Sequence, residues 1–347
     1  MRVGILTFHT AHNYGAMLQT FALKRTCEKL GYKTNVIDYN PNYIRDQYQY
    51  FKPKKNIKSN LLIMMNLRGN ILKNKRFERF KNQYFDKKPF NEDSYDAILY
   101  GSDQIWNPNI ANGFDPVFFG KHDIRTRKNV AYAASVGKSN FDESESCTFK
   151  RLVENFDAVS VREESSAKWL QSLVGQPIEV VLDPTLLTCR EDWRDVMVHP
   201  RHSGKYILIY EVSPFPETFT VAKTLSEKTG IPIVRILYTR TKLHYGYKTL
   251  NNLGPREFLG WIHDAEYVVT SSFHGTAFSL LFEKNFYTIP HHSYASRMVD
   301  LLNKLDLSDR LVQTFPKSIL NIDYKKVGEK LLKEQEKSLA YITKSIR

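Results

Sequence analysis

The octapeptide Ser271-Ser272-Phe273-His274-Gly275-Thr276-Ala277-Phe278 follows the apolar run Ala265 to Val269 and opens an apolar helical pattern. A buried strand that turns directly into a helix is the building unit of parallel α/β sheets. The N–H groups and positive dipole end of the helix favour an anion, and Gly275 lets a ligand approach the backbone. The stretch therefore predicts an α/β fold and an anion site, with His274 as a general acid or base. The alternative is a helix N-cap with a hydrogen-bonded histidine.

The same alternation of strands and helices continues along the chain. Strands are predicted at 3–8, 34–39, 97–100, 130–134, 158–161, 180–182, 206–210, 233–237, 267–270 and 286–289. Helices are predicted at 15–30, 145–155, 163–173, 216–229, 255–262, 276–282 and 295–305. The 347 residues exceed one compact core, and a polar Pro- and Gly-containing break lies at 199–205. We therefore expect two Rossmann-like domains facing across a cleft.

The predicted domains are residues 1–200, with a basic amphipathic insertion at 42–90, then residues 201–322 and a C-terminal helix at 323–347. Between Lys52 and Lys88, twelve Lys or Arg stand against two acidic residues, which accounts for most of the net charge of +13. Apolar residues are interspersed there, so the segment suits an anionic membrane face or a pyrophosphate-lipid. A solvated basic helix and a nucleic-acid surface are the alternatives; no nucleic-acid module accompanies the segment, so we expect no nucleic-acid partner.

The cysteines and apolar runs narrow the class of protein. Cys27, Cys147 and Cys189 are widely spaced and contain no CxxC pair, which argues against a disulfide framework or a zinc site and favours a reducing cytoplasm. The N-terminus has no signal-peptide pattern, and no apolar run approaches the roughly 20 residues that cross a bilayer. We expect a cytoplasmic protein that has no metal site and is not an integral membrane protein.

In open parallel sheets, ligands bind beyond the carboxyl ends of the strands. The first such loop is His9-Thr10-Ala11-His12-Asn13-Tyr14-Gly15-Ala16, which lacks the GxGxxG spacing of a dinucleotide site and is interpreted as a binding loop for another ligand. His9 and His12 are three residues apart, but nothing nearby in the sequence completes a metal site.

Two later loops carry candidate chemistry. Gly101-Ser102-Asp103-Gln104-Ile105-Trp106 is interpreted as a sugar site, in which Asp103 accepts a hydroxyl proton and Trp106 stacks on a pyranose; an Asx turn with a core tryptophan is the alternative. Arg162 is predicted to bind an anion in the cleft, with a structural ion pair to a nearby Glu as its alternative, and Arg297 is a second candidate. Asp183 is expected to cap a turn.

Taken together, these loops resemble the polysaccharide pyruvyl transferase family. The resemblance runs from Asn13 to about Leu302. Its motifs, in chain order, are His12-Asn13-Tyr14-Gly15-Ala16, Gly101-Ser102-Asp103-Gln104-Ile105-Trp106-Asn107, Tyr132-Ala133-Ala134-Ser135-Val136-Gly137, Ser160-Val161-Arg162-Glu163, Val181-Leu182-Asp183-Pro184-Thr185 and Ser271-Ser272-Phe273-His274-Gly275.

The resemblance implies a glycosyltransferase-B-like fold and transfer of a pyruvyl group from phosphoenolpyruvate to two hydroxyls of one sugar, which makes a cyclic ketal. It places the catalytic positions on Asp103, Arg162 and His274. The second domain is then the phosphoenolpyruvate side and the first the acceptor side. Expected to bind phosphoenolpyruvate are Arg162, Ser271, Ser272, His274, Gly275, Thr276 and Arg297. Expected to bind the acceptor are Asn13, Tyr14, Gly15, Ser102, Asp103 and Trp106.

Some members of the family have arginine just before the histidine, where this chain has Phe273. One anion-binding donor is therefore either missing or supplied elsewhere, with Arg297 as the candidate. No cofactor is expected besides phosphoenolpyruvate as donor substrate. The expected setting is biosynthesis of a bacterial surface or capsular polysaccharide on a lipid-linked saccharide, at the inner face of the cell membrane. The alternatives are a nucleotide-sugar-dependent glycosyltransferase of the same fold and a non-catalytic glycan- or polyanion-binding protein.

Overall fold

The chain packs into two compact units. Unit 1 contains Met1–Tyr48, Lys81–Thr188 and Leu332–Arg347, and unit 2 contains Gln49–Phe80 and Cys189–Leu331. The structure is a computed structural model that describes residues 1–47, 57–90, 94–111, 113–137, 141–237, 247–290, 296–319 and 321–347.

Each unit is built on one parallel sheet. The strands of unit 1 are β1 (Arg2–Leu6), β2 (Lys33–Asp38), β3 (Lys87–Pro89), β4 (Ser94–Tyr100), β5 (Arg125–Ala134), β6 (Ala158–Val161) and β7 (Ile178–Val180), in the order β3-β2-β1-β4-β5-β6-β7. The strands of unit 2 are β8 (Ile207–Tyr210), β9 (Ile233–Ile236), β10 (Lys248–Leu250), β11 (Tyr267–Thr270) and β12 (Asn285–Thr288), in the order β10-β9-β8-β11-β12. The central strands carry continuously buried runs, at 97–100 of β4, 130–134 of β5 and 207–210 of β8, because both faces of a parallel sheet are covered there.

Helices connect the strands. They are α1 (Tyr14–Lys29), α2 (Asn42–Gln47), α3 (Ile57–Tyr84), α4 (Pro108–Ala111), α5 (Glu143–Val153), α6 (Glu164–Leu173), α7 (Arg190–Arg194), α8 (Pro216–Thr229), α9 (Pro255–His263), α10 (Phe273–Leu281), α11 (Ser296–Lys304) and α12 (Tyr324–Ile346). Two parallel sheets with crossover helices confirm the predicted α/β fold of two Rossmann-like domains. The predicted C-terminal helix is confirmed as α12. No helix in the described part of the chain combines the length and apolarity needed to cross a membrane.

The boundary between the units falls after Thr188 rather than after the predicted residue 200. Residues 189–198 belong with unit 2 because they pack on its helices. Val198 N donates to Arg256 O at 3.0 Å, and Arg256 Nε donates to Val196 O at 2.7 Å. These bonds attach the segment to α9.

The predicted insertion at 42–90 also divides differently, since residues 49–80 belong to unit 2. Arg76 of α3 donates from Nη1 to Asn252 O at 2.8 Å and pairs through Nε with Glu257 at 3.1 Å, which attaches α3 to the loop before α9 and to its first turn. Residues 48–56 of the insertion, and the side chains at 57–63 and 65, lie outside the described residues.

Candidate active site

Three polar side chains meet at the carboxyl edge of the sheet of unit 1. Arg162 follows β6, Ser102 follows β4, and Asp183 follows β7 at the start of the short 3-10 helix Pro184–Leu186. Arg162 Nη1 lies 2.7 Å from Asp183 Oδ2, and Ser102 Oγ donates to the same oxygen at 3.1 Å. Asp183 Oδ1 accepts from Thr185 N at 3.0 Å, which confirms that Asp183 caps a turn.

The charge of Arg162 is balanced where it stands. Its side chain and that of Asp183 are 2 % and 0 % exposed. Burial alone lowers the pKa of Arg162, but Asp183, Glu163 and Asp103 together hold that pKa above its ordinary value. Arg162 therefore forms a structural ion pair, which was the alternative to anion binding, although its partner is Asp183 rather than a nearby glutamate. The arrangement also brings Asp103 within electrostatic reach of Arg162.

A glycine makes this edge compact. A Cβ on Gly101 would lie 2.1 Å from Tyr132 O, and the φ of Gly101 is +135°, so only glycine fits between β4 and β5 here. The next residue, Ser102, accordingly reaches both Asp183 and Gln19, whose Oε1 accepts from Ser102 N at 3.0 Å. Asp103 is half-buried and accepts from Gln104 N at 2.8 Å through Oδ1.

The last part of the loop after β1 starts α1. Asn13 is the N-cap and accepts from Ala16 N at 3.3 Å. Tyr14 is 2 % exposed, and Gly15 is buried in the first turn. Three acceptor ligands were predicted in this loop. Of these, only Asn13 has a partly accessible side chain.

The prediction that Trp106 stacks on a sugar is wrong. The indole is 1 % exposed, donates from Nε1 to Phe118 O at 3.0 Å, and stacks on Phe119 with ring centroids 5.4 Å apart. Phe149 contacts the same indole edge-on at 5.5 Å. Trp106 is a core residue because aromatic neighbours surround it, as the alternative interpretation described.

A pair between buried His9 and partly exposed Asp38, at the same edge, was not predicted. His9, fully buried after β1, places Nε2 at 2.8 Å from Asp38 Oδ1 and Nδ1 at 3.1 Å from Thr7 O. The hydrogen bond from His9 is the largest effect that lowers the pKa of Asp38 to about 2. The sequence carried a signal, since His9 and Asp38 lie at the carboxyl ends of the first two predicted strands, 3–8 and 34–39.

In unit 2, the strand-to-helix turn has the predicted form. Ser272 is the N-cap of α10, with its Oγ 3.5 Å from Gly275 N. Thr270 Oγ1 accepts from Ser272 N at 3.1 Å and donates to Tyr210 O at 2.6 Å, which fixes the turn to β8. His274, in the first turn of α10, is 9 % exposed and meets the ring of Phe273 edge-on at 5.2 Å.

The other predicted donors of this site lie in different environments. The hydroxyl of Thr276 bonds to Ser272 O at 3.2 Å and to Thr288 Oγ1 at 2.9 Å, and its side chain is fully buried. The prediction of Thr276 as a ligand donor is therefore wrong, because its hydroxyl connects α10 to β12. Ser271 is half-buried. The guanidinium of Arg297 lies 5.9 Å from the ring centre of Phe273, beside the turn.

A second unpredicted pair lies at the carboxyl edge of this sheet. Glu211 follows β8 directly and bonds through Oε2 to Arg235 Nη2 of β9 at 2.7 Å, with both side chains nearly inaccessible. Burial raises the pKa of Glu211, and Arg235 acts against that rise. Ligands of such sheets bind beyond the carboxyl ends of the strands, so Glu211 could have been predicted as a site candidate from its position directly after the strand.

Comparison with known proteins gives a family and a fold. The profile of the polysaccharide pyruvyl transferase family matches residues 13–293. A sequence search of curated proteins found no significant match. Among solved structures, a putative UDP-N-acetylglucosamine 2-epimerase from Listeria monocytogenes is similar at 10% identity and a TM-score of 0.50, covering 98% of this chain and 90% of that chain. This likeness shows the fold alone, the glycosyltransferase-B type.

Two further structures were matched. They are a UDP-GlcNAc 2-epimerase from Methanocaldococcus jannaschii (14% identity, TM-score 0.45, covering 98% of this chain and 93% of that chain) and the heptosyltransferase WaaC from E. coli (12% identity, TM-score 0.40, covering 85% and 91%).

Proposed function

The chain belongs to the polysaccharide pyruvyl transferase family, and from this premise we propose that it transfers the pyruvyl group of phosphoenolpyruvate to two hydroxyls of one sugar. The methylene carbon of the donor takes a proton and becomes a methyl group. Its central carbon loses the bond to the phosphate oxygen and forms bonds to two sugar oxygens. The two sugar hydroxyls release two protons. One of them replaces the proton that the methylene carbon took up, and the other leaves on the phosphate.

The observation that best supports this proposal is the turn between β11 and α10. It places His274, nine-tenths buried, in the first turn of a nine-residue helix whose first residues present backbone N–H groups. Helix N-termini favour phosphate and carboxylate, and phosphoenolpyruvate carries both groups. Ser271, Ser272 and Gly275 line the turn, and Arg297 supplies a cation beside Phe273.

We assign the roles as follows. His274, protonated, donates the proton to the methylene carbon or assists phosphate departure, and Asp103 accepts a proton from the acceptor hydroxyl. Arg162 neutralises part of the donor charge. Since Asp183, Glu163 and Asp103 already offset its charge, we give Arg162 the smaller share of donor binding and the α10 turn the larger share. Asn13, whose side chain is partly accessible, joins Asp103 on the acceptor side, whereas Gly15 and Ser102 are buried and contribute through the shape of their loops.

We further propose that the acceptor is a lipid-linked saccharide and that the chain acts at the inner face of the cell membrane, in the synthesis of a surface or capsular polysaccharide. The support is α3. Met64, Leu67, Ile71 and Leu72 are exposed on it, and they alternate with the exposed cations Arg68, Lys75 and Arg79. An apolar stripe among cations suits an anionic lipid surface.

The test is phosphate release from phosphoenolpyruvate with galactose-, mannose- and glucosamine-containing acceptors, followed by mass analysis. A product heavier than its acceptor by pyruvic acid less one water supports the proposal. Turnover of a UDP- or GDP-sugar instead, with no effect of phosphoenolpyruvate on the melting temperature, contradicts it in favour of a glycosyltransferase.

The variant His274→Ala tests the assigned acid. We expect turnover to fall by about 10² to 10⁴ while the protein stays folded. His202→Ala, a partly exposed histidine of the same unit, is the matched control and keeps full turnover. Equal turnover in both variants contradicts the catalytic role and leaves His274 as a structural residue of the turn.

A further inference from the structure

Two histidines and an aspartate converge at the end of α9 in unit 2. Asp264 Oδ1 lies 2.7 Å from His263 Nδ1, and Asp264 Oδ2 lies 2.9 Å from His199 Nδ1. The three ligand atoms lie within 4.8 Å of one another. The side chains of His199, His263 and Asp264 are 59 %, 24 % and 29 % exposed, so the cluster is open to solvent on one side.

The fold builds this cluster with a glycine. A Cβ on Gly260 would lie 2.0 Å from Val198 O and 3.1 Å from the Cα of His199, so only glycine lets the segment before His199 lie against α9. Val198 N bonds to Arg256 O of the same helix at 3.0 Å. His199 is thereby held beside His263 and Asp264, although the chain separates it from Asp264 by 65 residues.

This ligand set has the chemistry of a transition-metal site. Imidazole nitrogen and carboxylate oxygen are the ligands that Zn²⁺ takes at about 2.0–2.1 Å, and three protein ligands with water complete its tetrahedral shell. In such a shell the ligand atoms are about 3.3 Å apart. The two nitrogen–oxygen separations of 2.7 and 2.9 Å therefore need to open by roughly half an ångström, and the two histidine nitrogens already lie within 4.8 Å of each other. The cluster also lies at the C-terminal end of α9, where the helix dipole favours a cation.

We propose that His199, His263 and Asp264 bind a divalent transition-metal ion, with zinc as the best fit. The site ties the segment after α7 to the end of α9. It precedes β11, whereas His274 follows the opposite, carboxyl end of the same strand, so the ion takes no part in the proposed transfer chemistry. Lys284, which acts electrostatically on Asp264, offsets part of the attraction for the ion.

The test is calorimetric titration of the untagged, EDTA-treated full chain with ZnCl₂, and titration with CoCl₂ followed by visible absorption. We expect one zinc ion per chain and a cobalt spectrum with a nitrogen and oxygen ligand set. His199→Ala and His263→Ala should each weaken zinc binding by about tenfold or more.

Two controls make the outcome decisive. His202→Ala removes a nearby histidine outside the cluster and should leave zinc affinity unchanged. Because His199 is mostly exposed, His199→Ala should keep the circular dichroism spectrum and metal-free melting temperature of the parent. Absence of zinc binding, or equal binding by the parent and both cluster variants, overturns the proposal. The readout is metal binding, so it is independent of whether the chain transfers pyruvate.

Discussion

Lys73 is a titratable residue in the interior of the protein. Its side chain on α3 is fully buried, its Nζ lies 5.8 Å from the ring centre of Phe77, and burial lowers the pKa of its ammonium to about 7. Between about pH 7 and pH 10, the unfolded chain binds a proton here that the folded chain does not. The contribution of Lys73 to stability therefore rises with pH across this window and is least favourable at and below pH 7.

We predict that Lys73→Met is more stable than the parent at pH 7 and that its advantage shrinks as pH rises. Methionine keeps the apolar stem and does not titrate. Between pH 7 and pH 9 the difference in the free energy of unfolding should fall by about 2 kcal/mol, as measured by urea denaturation of both proteins at each pH. Lys75→Met, at an exposed position on the same helix, is the control and should show no such trend. A difference that stays constant across the series contradicts the prediction.

For single residues, the sequence predicted where along the chain a functional side chain stands better than it predicted which side chains surround it. Arg162 and His274 do follow strand ends, because the alternation of apolar runs specifies where each strand stops. The surroundings of Trp106 could not be predicted, since Phe119 and Phe149 reach it only after the sheet has formed. The same holds for Arg162, whose partner Asp183 comes from the next strand along the chain.

The contact between α10 and β11 is the element on which the candidate donor site depends. A Cβ on Gly275 would lie 2.2 Å from Thr270 Oγ1, the atom that bonds both to Tyr210 O and to Ser272 N. Any side chain there displaces either the helix or this hydroxyl. Gly275 therefore serves close packing of the helix, in addition to the ligand approach expected from the sequence.

We predict that Gly275→Ala lowers the free energy of unfolding by about 1–3 kcal/mol, as overpacking does, and lowers turnover with phosphoenolpyruvate by at least about tenfold. Thermal melting and the phosphate-release assay measure the two effects. Gly328→Ala is the matched control, since its Cβ would meet no atom within 4 Å on α12. That substitution should stabilise by up to about 1 kcal/mol. An unaltered melting temperature for Gly275→Ala would show that the turn adapts.

Elements with an apolar pattern were predicted from the sequence, and elements without one were not. The predicted strands 158–161 and 267–270 agree with β6 and β11 in both bounds, and the helix 216–229 agrees with α8. The short edge strands β3 and β10 were missed, because the sequences Lys-Lys-Pro and Lys-Thr-Leu give neither an apolar run nor an alternation. Edge strands are recognised by their neighbours in the sheet, which sequence alone does not supply.

At the scale of the whole molecule, the units draw on separated parts of the chain. Unit 1 is completed by Leu332–Arg347: Tyr341 OH donates to Ala131 O of β5 at 2.9 Å, and Ser338 Oγ accepts from Leu182 N at 3.0 Å. A break in composition marks only where the chain changes character, so it could not reveal that residues 49–80 join unit 2 or that residues 332–347 return to unit 1.

The net charge of +13 and the exposed stripe of α3 together predict binding to anionic lipid. Met64 is 70 % exposed, and Leu67 and Ile71 follow it at helical spacing on one face. Cations near an anionic surface contribute about 1 kcal/mol each, an attraction that salt screens, whereas inserted apolar side chains add a part that salt does not remove. We therefore predict that the protein co-sediments with phosphatidylglycerol vesicles and that less of it does so at high salt. Little of the protein should co-sediment with phosphatidylcholine vesicles.

The double variant Leu67→Asp/Ile71→Asp removes apolar contact and adds negative charge, so it should reduce binding to the anionic vesicles by at least about tenfold. Leu332→Asp is the matched control: this leucine of α12 is 54 % exposed and lies outside the stripe, and its variant should lose at most the small share due to one added charge. If the two variants bind equally well, the membrane contact does not run through α3. If the parent binds both lipids alike, the basic charge does not determine its binding to membranes.

Phosphate release on a soluble acceptor, measured with the same double variant, should stay at the parent's level, because the stripe serves access to the lipid-linked sugar rather than the transfer itself.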